Sequence, residues 1–126
     1  MRLLLDSHVL LWWADGSAQL GARAKSLLSA GNAEVFVSAA SWWEISIKKA
    51  HGRLAVDLSV LESELRARSV KRLDMSFAHA RAAAGLPPHH GDPFDRMLVA
   101  QADVEGLSLL TRDKRLKTYG SMVLCT

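Results

Sequence analysis

Short apolar runs alternate with longer stretches of helical periodicity along this chain. Arg2–Leu5 is an apolar run that reads as a buried strand, and Asp6-Ser7 after it reads as a helix N-cap. Val9–Ala14 continues as a helix broken at Asp15-Gly16-Ser17, and Ala22–Ala30 keeps helical spacing up to a Gly31-Asn32 stop. Glu34–Val37 is rich in β-branched and aromatic residues and predicts a second strand. A helix from Ala39 to about Ala50 follows, closed by Gly52. The spacing of Leu58, Leu61 and Leu65 predicts a helix over Asp57–Arg68, with Val70–Leu73 as a third strand and Ser76–Ala84 as a helix. Leu86–Gly91 is a proline-containing loop and the one hinge that the pattern suggests. Pro93–Glu105 reads as a helix closed by Gly106. Leu107–Leu110 is a fourth strand, Lys114–Lys117 a helical turn and Met122–Cys125 a fifth strand.

This alternation predicts an α/β fold, a parallel sheet covered by helices on both faces. No repeat or linker interrupts the 126 residues, so one domain over residues 1–126 is expected. Apolar residues make up 49% of the chain, enough for a sizeable core. The single cysteine, Cys125, has no partner for an internal disulfide or a thiolate metal site, which points to a reducing cytoplasm. Met1–Leu5 begins like a signal peptide, but its leucines stop at Asp6-Ser7-His8. No apolar stretch approaches the roughly 20 residues that span a bilayer, so a soluble protein without a membrane partner is expected.

Four carboxylates change this bland picture: Asp6, Glu44, Asp95 and Asp113. Each sits where an apolar run meets a helix start, or up to two turns into that helix. Acids are rare in such places unless they cap, pair or bind a cation. Asp6 and Asp113 follow the first and fourth strands, and helix capping is the alternative for both. Thr111 adds a hydroxyl that could hold a carboxylate, and Ser7 could replace Asp6 as the cap. Glu44 follows Ser41 by three positions, as in a capping box; if the helix begins at Ser38 instead, Glu44 lies inside it among Trp42, Trp43, Ile45 and Ile47. Asp92-Pro93-Phe94-Asp95 opens a helix with Asp92 as N-cap, and the helix dipole favours an ionised Asp95. Oxygen donors without metal-spaced Cys or His favour Mg²⁺ or Mn²⁺ over Zn²⁺. Such clusters serve phosphodiester hydrolysis, one ion activating water and a second stabilising the leaving oxygen.

Net charge is +3, from 16 Lys and Arg against 13 Asp and Glu; committing four acids to a metal leaves 16 against 9, or +7. That balance suits a polyanion. Arg96, Arg112, Lys114 and Arg115, with Lys117, lie beside the acids and are candidate phosphate contacts, although solvated faces or salt bridges explain them as well. His89 and His90 read as loop residues that cap or face solvent. In Trp12-Trp13 and Trp42-Trp43 one member of each pair is expected in the core and the other outward, favouring an interface with another chain.

Four segments in order, over nearly the whole chain, resemble PIN-domain proteins of the VapC type, the toxin ribonucleases of bacterial toxin–antitoxin pairs. They are Leu3–His8 with Trp12-Trp13, Ser38–Leu54, His90–Ala102 and Leu110–Asp113. The resemblance implies a three-layer PIN-like domain whose five-stranded parallel sheet has the order 3-2-1-4-5. It implies that Asp6, Glu44, Asp95 and Asp113 bind Mg²⁺ or Mn²⁺, with Asp92 as the competing choice for Asp95. It also implies an RNA substrate, a homodimer, and an antitoxin partner that masks a groove in a hetero-oligomer. Two other readings stand beside it. One is a phospho-receiver-like signalling domain, which needs Asp74 as phosphoacceptor; the other is a non-catalytic RNA-binding PIN-like scaffold.

Overall fold

The computed structural model describes residues 1–126. Strands β1 (Arg2–Leu5), β2 (Glu34–Ser38), β3 (Lys71–Leu73), β4 (Ser108–Thr111) and β5 (Val123–Cys125) form one sheet in the order β3-β2-β1-β4-β5. Every neighbouring pair is parallel. Six helices connect them: α1 (Ser7–Asp15), α2 (Ala22–Ser29), α3 (Ala39–Ala50), α4 (Leu58–Ala67), α5 (Phe77–Ala84) and α6 (Pro93–Glu105). A 3₁₀ turn, Lys114–Tyr119, precedes β5.

Both sheet faces are buried, which is why the strands are apolar without alternation. Leu3, Leu5, Val35, Val37 and Leu110 pack under α1, α2 and α4. Leu4, Leu109 and Val123 face the other way, against Leu98, Val99 and Ala102 of α6. The result is the expected three-layer α/β architecture and strand order. Leu110 is fully buried at the junction of β4 and β1, where Leu5 is its register partner. Leu110→Ala should lower the unfolding free energy by about 2–5 kcal/mol in a denaturant titration, through lost transfer energy and a residual cavity.

Element boundaries shift at the polar ends. Helix α1 starts at Ser7 because Asp6 caps it, and β4 extends to Thr111, whose side chain is fully buried. The loop over residues 86–91 is no hinge. Arg96 reaches back from α6 to donate to the carbonyls of Ala83, Leu86, Pro87 and His90, and Tyr119 Oη donates to Pro87 O. A guanidinium fork is well shaped for this clamp. No helix is long and apolar enough to cross a membrane.

The strand order removes the receiver-domain reading. A flavodoxin-like receiver sheet has the order 2-1-3-4-5, with β3 inside the sheet. Here β3 is an edge strand, two strands away from β1, and Asp74 beyond it is exposed.

Candidate active site

In an open parallel sheet the carboxyl edge carries the site, at the point where strand order reverses. That point here lies between β1 and β4. Asp6 stands directly on it: its backbone N–H donates to Leu110 O at 3.1 Å. Its Oδ1 caps α1 by accepting from Val9 N at 2.8 Å. Its Oδ2 accepts from the Thr111 hydroxyl and from Arg112 N. Capping and site therefore share one residue, each using a different oxygen. Asp6 is only 5% exposed, and that burial raises its pKa despite the hydrogen bonds from Thr111 and Val9.

Thr111 ties two acids together. Its Oγ1 donates to Asp6 and accepts from Asp113 N at 3.0 Å. Asp113 caps the 3₁₀ turn through Arg115 N. Arg115 also forks onto it, with Nε 3.1 Å from Oδ1 and Nη2 2.8 Å from Oδ2. This guanidinium is the main reason the Asp113 carboxyl is held well below the ordinary carboxylate range.

Helix α3 is capped by Ser38, whose side chain accepts from Ala40 N, so Glu44 lies inside the helix and no capping box forms at Ser41. Glu44 turns toward α1, accepting from Ser7 Oγ at 2.5 Å, and Lys48 Nζ stands 3.3 Å away one turn later. At the start of α6, Asp92 Oδ1 takes both Phe94 N and Asp95 N, at 2.8 and 3.2 Å. Asp92 is the cap, and Asp95, one turn on, points into the cluster.

His90, read in the sequence as a loop residue that caps or faces solvent, does cap but is buried beside the acids. Its side chain is 7% exposed. The Asp92 N–H donates to Nδ1 at 3.0 Å, so Nε2 carries the ring proton. Nε2 then donates to Asp113 Oδ2 at 3.0 Å and lies 3.6 Å from Asp95 Oδ2. Potential ligand atoms of His90, Asp95 and Asp113 fall within 4.8 Å of one another. Asp6 and Glu44 stand outside that group, but their charges bear on Asp95. Burial first, then the Asp92 charge, with smaller repulsion from Asp6 and Glu44, push the Asp95 pKa up to about 7. The signal available in sequence was a ring nitrogen two residues ahead of an N-cap, able to take that cap's own N–H.

The basic candidates divide. Arg96 is spent on the 86–91 loop and does not offer its guanidinium to a phosphate, which corrects its assignment as an RNA contact. Arg115 is committed to Asp113, and Lys114 is exposed. Arg112 lies over the Trp12 ring, 5.6 Å from its centroid, with Nη2 3.2 Å from His8 Nε2. Trp43 is 58% exposed and meets Phe94 edge-on at 5.4 Å, beside the acids, whereas Trp42 is half-buried. Trp12 and Trp13 are both half-buried, so that pair does not split into one core and one outward ring.

The donor set suits a hard divalent cation. Asp95 is a largely buried carboxylate beside other acids, with His90 beyond hydrogen-bonding range, and a cation is what such an oxygen lacks.

Comparison with known proteins agrees with this architecture. The PIN domain family model matches residues 3–121. Ribonuclease VapC22 of Mycobacterium tuberculosis is 32% identical over 119 residues, covering 93% of this chain and 91% of that protein. A toxin–antitoxin complex from Klebsiella pneumoniae superposes with a TM-score of 0.67 at 19% identity, over 97% of this chain and 95% of that one. VapBC2 from Rickettsia felis, solved bound to a DNA fragment from its promoter, gives 0.67 at 14% identity, over 100% and 98%. A domain-length family match, a relative of this identity and an acidic cluster at the switch point of a 3-2-1-4-5 sheet together place the chain in the PIN-domain family, among its VapC-type proteins.

Proposed function

We propose that the chain is a Mg²⁺- or Mn²⁺-dependent endoribonuclease, the toxin of a toxin–antitoxin pair. The observation that carries this reading is the cluster of Asp95, Asp113 and His90, whose potential ligand atoms lie within 4.8 Å of one another, near enough to Asp6 and Glu44 for their charges to bear on Asp95. Asp6, Glu44, Asp95 and Asp113 would hold a divalent cation, which would supply Lewis-acid polarisation and activation of water for phosphodiester hydrolysis to 5′-phosphate and 3′-hydroxyl ends. The chain's own groups prepare that chemistry. Thr111 orients Asp6, Ser7 orients Glu44, and Arg115 keeps Asp113 ionised. Asp92 serves as the helix cap rather than a ligand. Arg112 and Lys114 flank the acids as phosphate contacts.

The reading extends to partners. The curated relative is named a ribonuclease and two structural neighbours are toxin–antitoxin assemblies, which supports an RNA substrate and a protein antitoxin for this chain. An apolar groove of about 460 Å³ beside α3, with Val37, Trp42, Trp43 and Leu73 in its walls, suits a masking antitoxin segment in a hetero-oligomer. Exposed Trp43 and Phe77 suit a homodimer.

A cleavage assay on single-stranded RNA tests the core of the proposal. EDTA should abolish cutting and added Mg²⁺ or Mn²⁺ restore it, while Asp95→Asn loses at least ~10²–10³-fold in rate, as for removal of one transition-state charge stabiliser. Cutting that persists in EDTA, or in Asp95→Asn at the parent rate, overturns the site assignment.

A further inference from the structure

A second concavity adjoins the acidic cluster. It lies between α1 and α3, encloses about 220 Å³ and has Ser7, His8, Lys48 and Arg53 as its polar lining. Its wall is continuous with the site, because Ser7 Oγ and Lys48 Nζ are the two groups that contact Glu44, at 2.5 and 3.3 Å. Arg53 is exposed, and the ion pairs of the protein all use other cations. Arg112 only donates, so the His8 Nε2 beside it accepts and the His8 ring leaves its Nδ1–H as a donor. The cleft thus has an apolar floor of Leu11, Ile45 and Leu54 and a polar rim that carries Lys48 and Arg53 and no acid of its own.

On the opposite flank Arg115 forks onto Asp113 and the Arg96 donors are taken up by backbone carbonyls, whereas Arg53 has no partner and Lys48 is held by Glu44 alone. A nucleic-acid strand that places one phosphodiester at the acids must carry another phosphate immediately beside it. We propose that the α1–α3 cleft is a subsite for that neighbouring backbone phosphate of single-stranded RNA, held by Lys48 and Arg53. The proposal rests on the nuclease reading and adds a binding site and a strand path to it. Lys48 carries a point charge on a flexible stem and is 32% exposed, so it can leave Glu44 for a phosphate when a cation takes its place on that acid. Arg53 supplies a planar fork that matches phosphate oxygens.

The test uses Lys48→Gln/Arg53→Gln, with Arg23→Gln/Lys25→Gln on exposed α2 as a control of equal charge. Affinity for a fluorescent single-stranded RNA of about 12 nucleotides is measured by anisotropy in an Asp95→Asn background, at several salt concentrations. The cleft pair should weaken binding about tenfold and reduce the slope of log Kd against log salt by about 0.7 for each cation removed. In the cleaving protein Arg53→Gln, which does not touch Glu44, should lose in KM, and Arg53→Lys should keep the salt slope of the parent. Unchanged melting temperatures establish that the variants are folded. Parent-like affinity and slope in the cleft pair overturn the subsite and leave the nuclease standing. An equal loss in the α2 pair also overturns it, by making the effect one of net charge. So does retained RNA affinity with lost binding of a protein partner. If the parent itself does not cut RNA, the nuclease reading fails, and RNA affinity that depends on Lys48 and Arg53 still upholds the cleft.

Discussion

Asp6→Asn should lose RNA cleavage by at least ~10²–10³-fold while keeping, or raising, the stability of the metal-free protein. Two effects of opposite sign meet at this position. The ionised carboxylate is 5% exposed and its pKa is raised by burial, so holding its charge works against folding once pH exceeds the unfolded value. Asparagine removes that charge. It keeps an oxygen for the Val9 N–H cap, and the Thr111 hydroxyl can turn to accept from the new amide. What is lost is the weak Arg112 N–H contact at 3.3 Å and the acceptor of the Thr111 hydroxyl proton, a smaller cost than the burial of a charge. Asp6→Ala, by contrast, leaves the Val9 and Arg112 N–H groups and the Thr111 hydroxyl without an acceptor, and should cost about 1–3 kcal/mol. Thermal melting with and without Mn²⁺ separates the cases. Asn should give a melting temperature at or above the parent's but a diminished Mn²⁺-induced rise. An Asn variant that cuts RNA within tenfold of the parent rate would remove Asp6 from the site.

Divalent-metal affinity should rise with pH, up to about tenfold per unit between pH 5 and 7, and level off above. Asp95 sets this window. Burial and the Asp92 charge push its pKa up to about 7 in the metal-free protein, so a cation must displace its proton throughout the acid side of that range. Asp113 adds no slope there, because Arg115 keeps it ionised far below. The sign for stability follows from the same shift. Between the unfolded value and about 7 the folded protein holds a proton on Asp95 that the unfolded chain has released. Metal-free stability therefore falls as pH rises through this window, and a bound cation reverses the trend. Calorimetry in buffers of different ionisation enthalpy should find close to one proton released per metal at pH 6, and fewer in Asp95→Asn. An affinity that stays flat from pH 5.5 to 7.5 would show that Asp95 is not a ligand.

Capping and metal binding were competing explanations for each acid in the sequence, and the fold makes them compatible. Asp6 uses one oxygen as a cap and the other toward Thr111, while Asp113 caps its turn and receives His90 and Arg115. Glu44 was undecided between Ser38 and Ser41 as helix start, because both are good caps. Ser38 prevails because it ends β2 with extended backbone, which puts its side chain on the Ala40 N–H and leaves Ser41 already inside the helix. For His90 the capping alternative holds and the solvent-facing one does not: exposure of a loop histidine depends on what folds over it, and here the 86–91 segment is clamped from α6 by Arg96. The same contact removes Arg96 from the RNA face. Long side chains reach partners that local pattern cannot rank.

By itself the sequence determined the alternation of buried strands and helices, the polar stops between them, and the ordered motifs that mark the family. These are local properties, set by side-chain chemistry over a few residues and by the apolar runs that a doubly covered sheet requires. Only the tertiary structure decided that the ligand atoms of Asp95 and Asp113 come within reach of one another and that His90 joins them. It also decided that Lys48 and Arg53 border a cleft of their own beside Glu44. Those outcomes depend on burial and on charge–charge distances across elements far apart in the chain, and such distances exist only once the sheet is assembled.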